Sequence, residues 1–306
     1  MKLKILFTLL ICSFALQGFA QQKLNTFYII DSSTKKATPF VSVTILRARL
    51  SITTEKDGIF IIPGDLATMR DTVVFAAQNY DQLKIPINSL AYRDTIQLTR
   101  NEIAAGVVSQ KYTTDTLLND FDKNEIWHYA GFDTETANFD YYQLAQKFEA
   151  PKTGARVEKV KVARLAFNDQ GEGYERVAYR LRFYDVDPNT LGPGKELTGK
   201  TIEISNGEDR QSGVSLSKYN IIIPQKSFFV AIEWLRSSHN LGHVISYDKK
   251  RKVEVSHDNY RPAIGIAPKT GKTLNMWALN FKHQWQPYTY FMPFGTDLAI
   301  KATVEY

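Results

Sequence analysis

The sequence predicts an all-β protein built from two sandwich domains, on three observations. Short runs rich in Val, Ile, Phe, Tyr and Thr recur along the chain, separated by Gly, Pro, Asn and Asp, which is the spacing of strands and turns. The pattern breaks once, between Asn101 and Asp120, so the chain divides into two units. The length of 306 residues suffices for two domains, and 43% hydrophobic with 23% charged residues excludes a largely disordered or collagen-like chain.

The first element is an export signal at residues 1–20. Lys2 and Lys4 form a positive start, Ile5–Leu16 an apolar stretch, and Gly18-Phe19-Ala20 a small-x-small cleavage site before Gln21. The apolar stretch is shorter than the roughly 20 residues a spanning helix needs, so no transmembrane helix is expected in the mature chain. Ile11 precedes Cys12 where a lipid-attachment site requires a small residue, so no lipid anchor is expected either. Cys12 is the only cysteine. The mature chain is therefore expected to rely on core burial, without disulfides or a Cys-based zinc site. Cleavage would also lower the net charge of +6 by two. The densest basic cluster, Lys249-Lys250-Arg251-Lys252, reads as a solvated hairpin turn, and no nucleic-acid partner is expected.

Residues 21–100 form the first domain. Phe27–Ile30, Phe40–Leu46, Ile59–Ile62, Thr72–Ala76, Gln82–Ile85 and Thr95–Leu98 read as strands of a sandwich of about seven. In Phe40–Leu46, Val41, Val43 and Ile45 alternate to define one inward face. Asp57-Gly58 has the chemistry of a two-residue hairpin turn, because Gly tolerates positive φ without steric cost. Asp31-Ser-Ser-Thr34, Pro39-Phe-Val-Ser-Val43-Thr-Ile45 and Thr53-Thr54-Glu-Lys-Asp57-Gly58-Ile-Phe60-Ile-Ile-Pro63 together resemble the carboxypeptidase-like regulatory domain. That resemblance implies a transthyretin-like sandwich, with no catalytic residues of its own, in an exported protein of the Gram-negative type.

Residues 101–120 read as a linker, with Leu117, Leu118 and Phe121 able to sit on a short helix, and residues 121–306 as a second, larger all-β domain. Ile221–Ile223 and Phe228–Ile232 are apolar on both faces, as central strands would be. Leu274–Trp285 alternates, with Trp277, Leu279, Phe281, His283 and Trp285 on the face expected in the core. A jelly-roll-like sandwich accommodates both kinds of strand. Arg180–Tyr184, Pro193-Gly194, Ser217–Pro224 and Phe229–Trp234 resemble the C-terminal sandwich that often follows the regulatory-like domain in such exported proteins, and this supports the same layout.

Motifs that carry chemistry fail on their spacing. Gly271-Lys272-Thr273 lies one residue too far from Gly265 for a P-loop and precedes a strand. Asp185, Asp187, Asn189 and Glu196 are spaced like a calcium loop, but Thr190 stands where its turn requires Gly, so the segment reads as a polar hairpin. His239 and His243 lack the Glu of a zinc-protease motif, His257-Asp258 is a turn-like pair, and Ser215 lacks the second Gly of a nucleophile elbow. No catalytic residue, metal site or cofactor is expected.

Two features remain. Tyr288 and Tyr290 follow Pro287 in an aromatic-rich stretch, where exposed rings could stack on sugars. Glu233 is the only charge in Phe228–Leu235, and an unpaired carboxylate is costly to bury. Arg180 and Arg182 share one face of their strand, and either could offer it a two-pronged hydrogen bond. The expectation is an exported, non-enzymatic binding or structural module of the periplasm or cell surface, its partner a glycan or another envelope protein. One alternative is a carbohydrate-binding protein using the C-terminal aromatics. Another is an outer-membrane β-barrel component, because Leu298, Ile300, Ala302, Val304 and Tyr306 alternate up to an aromatic terminus.

Overall fold

The computed structural model describes residues 24–64, 66, 69–101, 112–133, 139–165, 177–205, 213–248, 251–268, 273–292 and 294–306, with the side chains of 24, 243–248 and 255–258 left out. The export signal, the Gly271-Lys272 pair and the side chains of His243 and His257-Asp258 lie outside the described residues. The fold is an all-β arrangement of packed sheets.

Period-2 alternation builds the first sandwich. Leu24–Asp31 pairs antiparallel with Ile59–Pro63 and parallel with Thr95–Leu98. Ser42–Ile45, Leu50–Thr53, Thr72–Ala76 and Leu83–Pro86 form a four-stranded antiparallel sheet facing it. Val41, Val43 and Ile45 point into the shared core with Ile29, Ile96 and Leu98. Phe60 stacks on Phe27 at 4.9 Å and meets Phe75 edge-on at 5.6 Å. Each such ring contributes roughly 1.5–3 kcal/mol by burial.

Leu50–Thr53 has no strand signal in the sequence, because its hairpin turns through Arg49 at φ 53, a position where Gly or Asn would have marked it. The Asp57-Gly58 reading needs correction. Gly58 does take φ +69, but the strands on either side belong to different sheets, so the turn crosses between sheets and closes no hairpin. Asp57 Oδ1 accepts the Ile59 N–H at 3.0 Å, and the Gly58 carbonyl accepts the Ile29 N–H at 2.9 Å.

In the second unit a seven-stranded sheet runs Pro193–Glu196, Ala178–Val186, Ser227–Trp234, Tyr141–Glu149, Met276–Asn280 and Trp285–Pro287, with Ile202–Ser205 also on Ala178–Val186. The other layer has two parts. Arg156–Val162 and Ile300–Glu305 lie at the centre of a five-stranded sheet, and Val253–Ala267 at the centre of a four-stranded one. A bridge from Arg164 to Ile264 joins them. Leu144, Phe183, Phe228, Ile232, Ile264 and Ile300 are among the fully buried residues between the layers.

Four expectations change here. Asp115–Leu118, assigned to the linker and to a possible helix, is a strand paired with Ile300–Glu305. Ile221–Ile222 is a short strand on Arg156–Val162, not a central one, whereas Phe228–Ile232 is buried on both faces. Leu274–Trp285 breaks into two strands joined by a turn at Phe281–Gln284, and Met276 and Ala278, not the tryptophans, enter the main core. Trp277 and Trp285 pack instead on the outer face of the seven-stranded sheet, against Tyr184 and Phe229. The terminal alternation is that of a core-facing strand, with Ile300, Ala302 and Val304 fully buried in an open sheet, which removes the basis for the barrel reading.

The first sandwich docks on the remaining outer face of that sheet. Thr44 and Ser51 hydrogen-bond the Tyr142 hydroxyl, Ser51 at 3.2 Å. The Thr53 N–H donates to the Arg236 carbonyl at 3.3 Å, and Thr53 Oγ1 accepts the Arg236 N–H at 2.9 Å. Arg49 pairs with Asp140 at 2.8 Å.

Candidate functional site

Strand alternation explains the charged array at this joint. In Ala178–Val186, Tyr179, Leu181 and Phe183 enter the core, leaving Arg180 and Arg182 on the outer face, as Glu233 is left by Ile232 and Trp234. Cross-strand register sets Arg180 opposite Glu233. Glu233 Oε2 lies 3.3 Å from Arg182 Nη1 and 3.8 Å from Arg180 Nη1. The carboxylate is thus held singly by two arginines, not by one two-pronged contact. Arg182 also reaches Glu196 at 3.1 Å. Gln78, from the first domain, donates to Glu196 at 2.8 Å, and Arg180 donates to the Phe40 carbonyl at 3.2 Å.

Arg180 and Arg182 thus face Glu233 and Glu196 inside the joint, with Glu203 opposite Arg180 on the next strand. Burial raises the Glu196 carboxyl from its ordinary value and lowers the Arg180 guanidinium. Burial also opposes charge on Arg182, but Tyr184, Glu196 and Glu233 outweigh it and hold that cation above its ordinary value. The Tyr184 hydroxyl, pushed up to about 12 by burial, donates to Gln143 at 2.9 Å. These carboxylates are committed to arginines, so the array is suited to holding two domains together.

A cleft of about 420 Å³ opens beside the array. Phe40, Glu55, Lys56 and Asp57 line it from the first domain, and Glu203, Ser205, Ser237 and His239 from the second. Its size falls within the range of small-molecule sites, which favour domain boundaries. Sequence reading missed it, because its two walls come from segments far apart in the chain. Among the described residues, no group of three or more His, Cys, Asp or Glu side chains is placed to hold a metal ion.

The calcium-like loop is a hairpin joining Ala178–Val186 to Pro193–Glu196. Asp187 Oδ1 accepts the Asn189 and Thr190 N–H groups, and Glu196 is taken by Arg182 and Gln78. Ser215 lies on the short Val214–Ser215 strand against Arg156–Val162.

The aromatic lead divides. Tyr288 is 6% exposed and belongs to the core, with its ring 5.4 Å from that of Tyr141, so it cannot stack on a ligand. Burial raises its hydroxyl above the ordinary tyrosine value. Tyr290 is 46% exposed. It rests edge-on against Phe291 at 4.8 Å and Phe139 at 5.2 Å. The cluster continues through His128, whose ring stacks on Phe294 at 4.0 Å, and Phe294 is 53% exposed. Trp127, next to His128 in the chain, is 81% exposed. Nothing in the sequence marks Trp127, because the strand it precedes, His128–Asp133, carries no clear alternation.

No protein-family model and no curated protein matches the chain. Among solved structures, it is similar to a "putative carbohydrate binding protein" from Bacteroides uniformis. The two share 11% identity and a TM-score of 0.20, over 80% of this chain and 98% of that one.

Proposed function

We propose that this chain is an exported, non-catalytic binding module of the periplasm or cell surface that presents an aromatic platform to a glycan. The observation that carries the reading is the pair of exposed rings, Tyr290 and Phe294, that flank the buried Phe291 through Phe139 and His128. Large rings left in water beside a rigid aromatic base offer flat apolar faces to the C–H faces of sugars at little conformational cost. Support for export comes from the charged, apolar and small-residue order of residues 1–20 and from the resemblance of residues 31–63 to the regulatory-like domain. A binding role agrees with the commitment of Glu233 and Glu196 to arginines, which takes both out of reach of acid–base chemistry.

The test is a glycan array with residues 21–306, followed by calorimetry on any sugar retained. Tyr290→Ala and Phe294→Ala should each weaken binding at least about tenfold, a loss of ~1.4 kcal/mol, with unchanged thermal stability. Absence of any retained glycan, or binding indifferent to both substitutions, would refute the proposal.

A further inference from the structure

The joint between the sandwiches contains a histidine that neither the core nor the aromatic platform uses. His283 lies in the turn between Met276–Asn280 and Trp285–Pro287, at φ 57. Its ring stacks on Tyr142 at 4.5 Å with the planes 19° apart. Tyr142 is the residue whose hydroxyl meets Thr44 and Ser51 of the first domain. Its Nε2 is buried with no hydrogen-bond partner among the described residues.

The charges around this ring come from both domains. Lys84, on Leu83–Pro86 of the first domain, and Arg236, just beyond Ser227–Trp234, act on it as cations, and Glu233 as the opposing carboxylate. The Arg236 guanidinium lies 4.4 Å from the same Tyr142 ring and 3.7 Å from Phe132. At the same turn Arg49 covers Phe281 at 4.9 Å, but its charge is answered by Asp140. An imidazolium here would have an N–H without an acceptor and two cations against one carboxylate.

We infer that the joint is an acid-sensitive latch, in which protonation of His283 loosens the docking of the first sandwich on the seven-stranded sheet. Burial, then Lys84 and Arg236, hold the imidazole down to about 4 from its ordinary 6.5. Opening removes Lys84 and the cover of the first sandwich but leaves Tyr142 and Arg236 beside the ring, so the imidazole moves back towards its ordinary value and takes up a proton more readily than in the closed joint. The His283 contribution to closure is therefore undisturbed above the ordinary value, weakens as pH falls from 6.5 towards 4, and levels off below that. The open fraction should rise by at most about 30-fold at about pH 5, the limit reached if opening released the whole shift.

Amide hydrogen exchange of the purified chain reads the joint directly, because the Thr53 and Arg236 N–H groups are bonded across it. After correction for intrinsic rates, both should exchange faster at about pH 5 than at about pH 7.5, by several-fold up to about 30-fold, while core amides such as that of Val230 do not. His283→Asn keeps a residue that accepts left-handed backbone and cannot titrate in this range, and should abolish the acceleration. Lys84→Met should raise the His283 titration midpoint measured by NMR. A His283 midpoint at about 6 or above, or acceleration that persists in His283→Asn, would overturn the inference. A midpoint unmoved by Lys84→Met would overturn it as well.

Discussion

Replacing Glu233 with Gln tests whether the joint is held by charge balance. The substitution keeps the side chain's shape and one acceptor oxygen, and removes a single negative charge. In the intact array Arg180 and Arg182 have only 3% and 11% of their side chains exposed, and Glu233 has 12%. After the change, Arg182 retains Glu196 at 3.1 Å. Arg180 retains Glu203 on the neighbouring strand, the more distant Glu196, and the ring and carbonyl of Phe40, and its Nε is already buried without a partner among the described residues. Breaking one side of a buried ion pair costs about 3–5 kcal/mol. The retained amide oxygen and the two remaining carboxylates reduce this, so Glu233→Gln should destabilise the protein by ~2–3 kcal/mol.

Urea denaturation followed by tryptophan fluorescence is suitable, because Trp234 adjoins Glu233 and is 2% exposed. The double substitution Arg180→Met/Glu233→Met should recover much of the loss, since it removes a cation together with its carboxylate. A Glu233→Gln protein within ~0.5 kcal/mol of the parent would refute the reasoning, because it would mean that water already reaches and screens the array.

Gly58→Val should cost at least ~1 kcal/mol, because φ is +69 and a Cβ there would lie 2.6 Å from the Ile29 carbonyl oxygen. A thermal midpoint equal to the parent's would contradict that. Asp31→Asn should lower the stability of the first sandwich and flatten its acid limb. The Thr34 N–H, Arg100 and Tyr80 hold the Asp31 carboxyl well below the usual carboxylate range, so its contribution is present above that range and is lost as pH falls through and below it. Identical acid denaturation of parent and variant by circular dichroism would show that the Asp31 contacts contribute nothing.

What the sequence makes legible is what alternation and turn chemistry can encode. Val41, Val43 and Ile45 face one core, and Tyr179, Leu181 and Phe183 another, as period 2 requires. Alternation does not say which of two apolar faces is the core. In Met276–Asn280 the larger side chain, Trp277, suggests its own face, yet Met276 and Ala278 fill the space between the sheets, and Trp277 covers the outside. Tyr288 and Tyr290 look equivalent in sequence. They separate because the Tyr288 N–H bonds the Met276 carbonyl at 2.9 Å, which keeps it on the sheet, while Tyr290 lies beyond the last strand pair.

The joint shows the other limit. A lone carboxylate in an apolar strand must be compensated, so the residue pattern by itself directs Glu233 to Arg180 and Arg182. Ser42 and Thr44 carry no such demand: on a strand with Val41, Val43 and Ile45 inward, they look like its solvent face. Thr44 is nevertheless fully buried, its hydroxyl shared with Ser51 and Tyr142. A hydroxyl satisfied by water and one satisfied by a second domain give the same sequence pattern, since both need only a partner. Here the partner stands 98 residues further along the chain. Charge therefore betrays an interface in sequence where neutral polarity cannot, and the Tyr142–His283 stack, the most acid-sensitive part of the joint, depends on neutral groups brought together only by the fold.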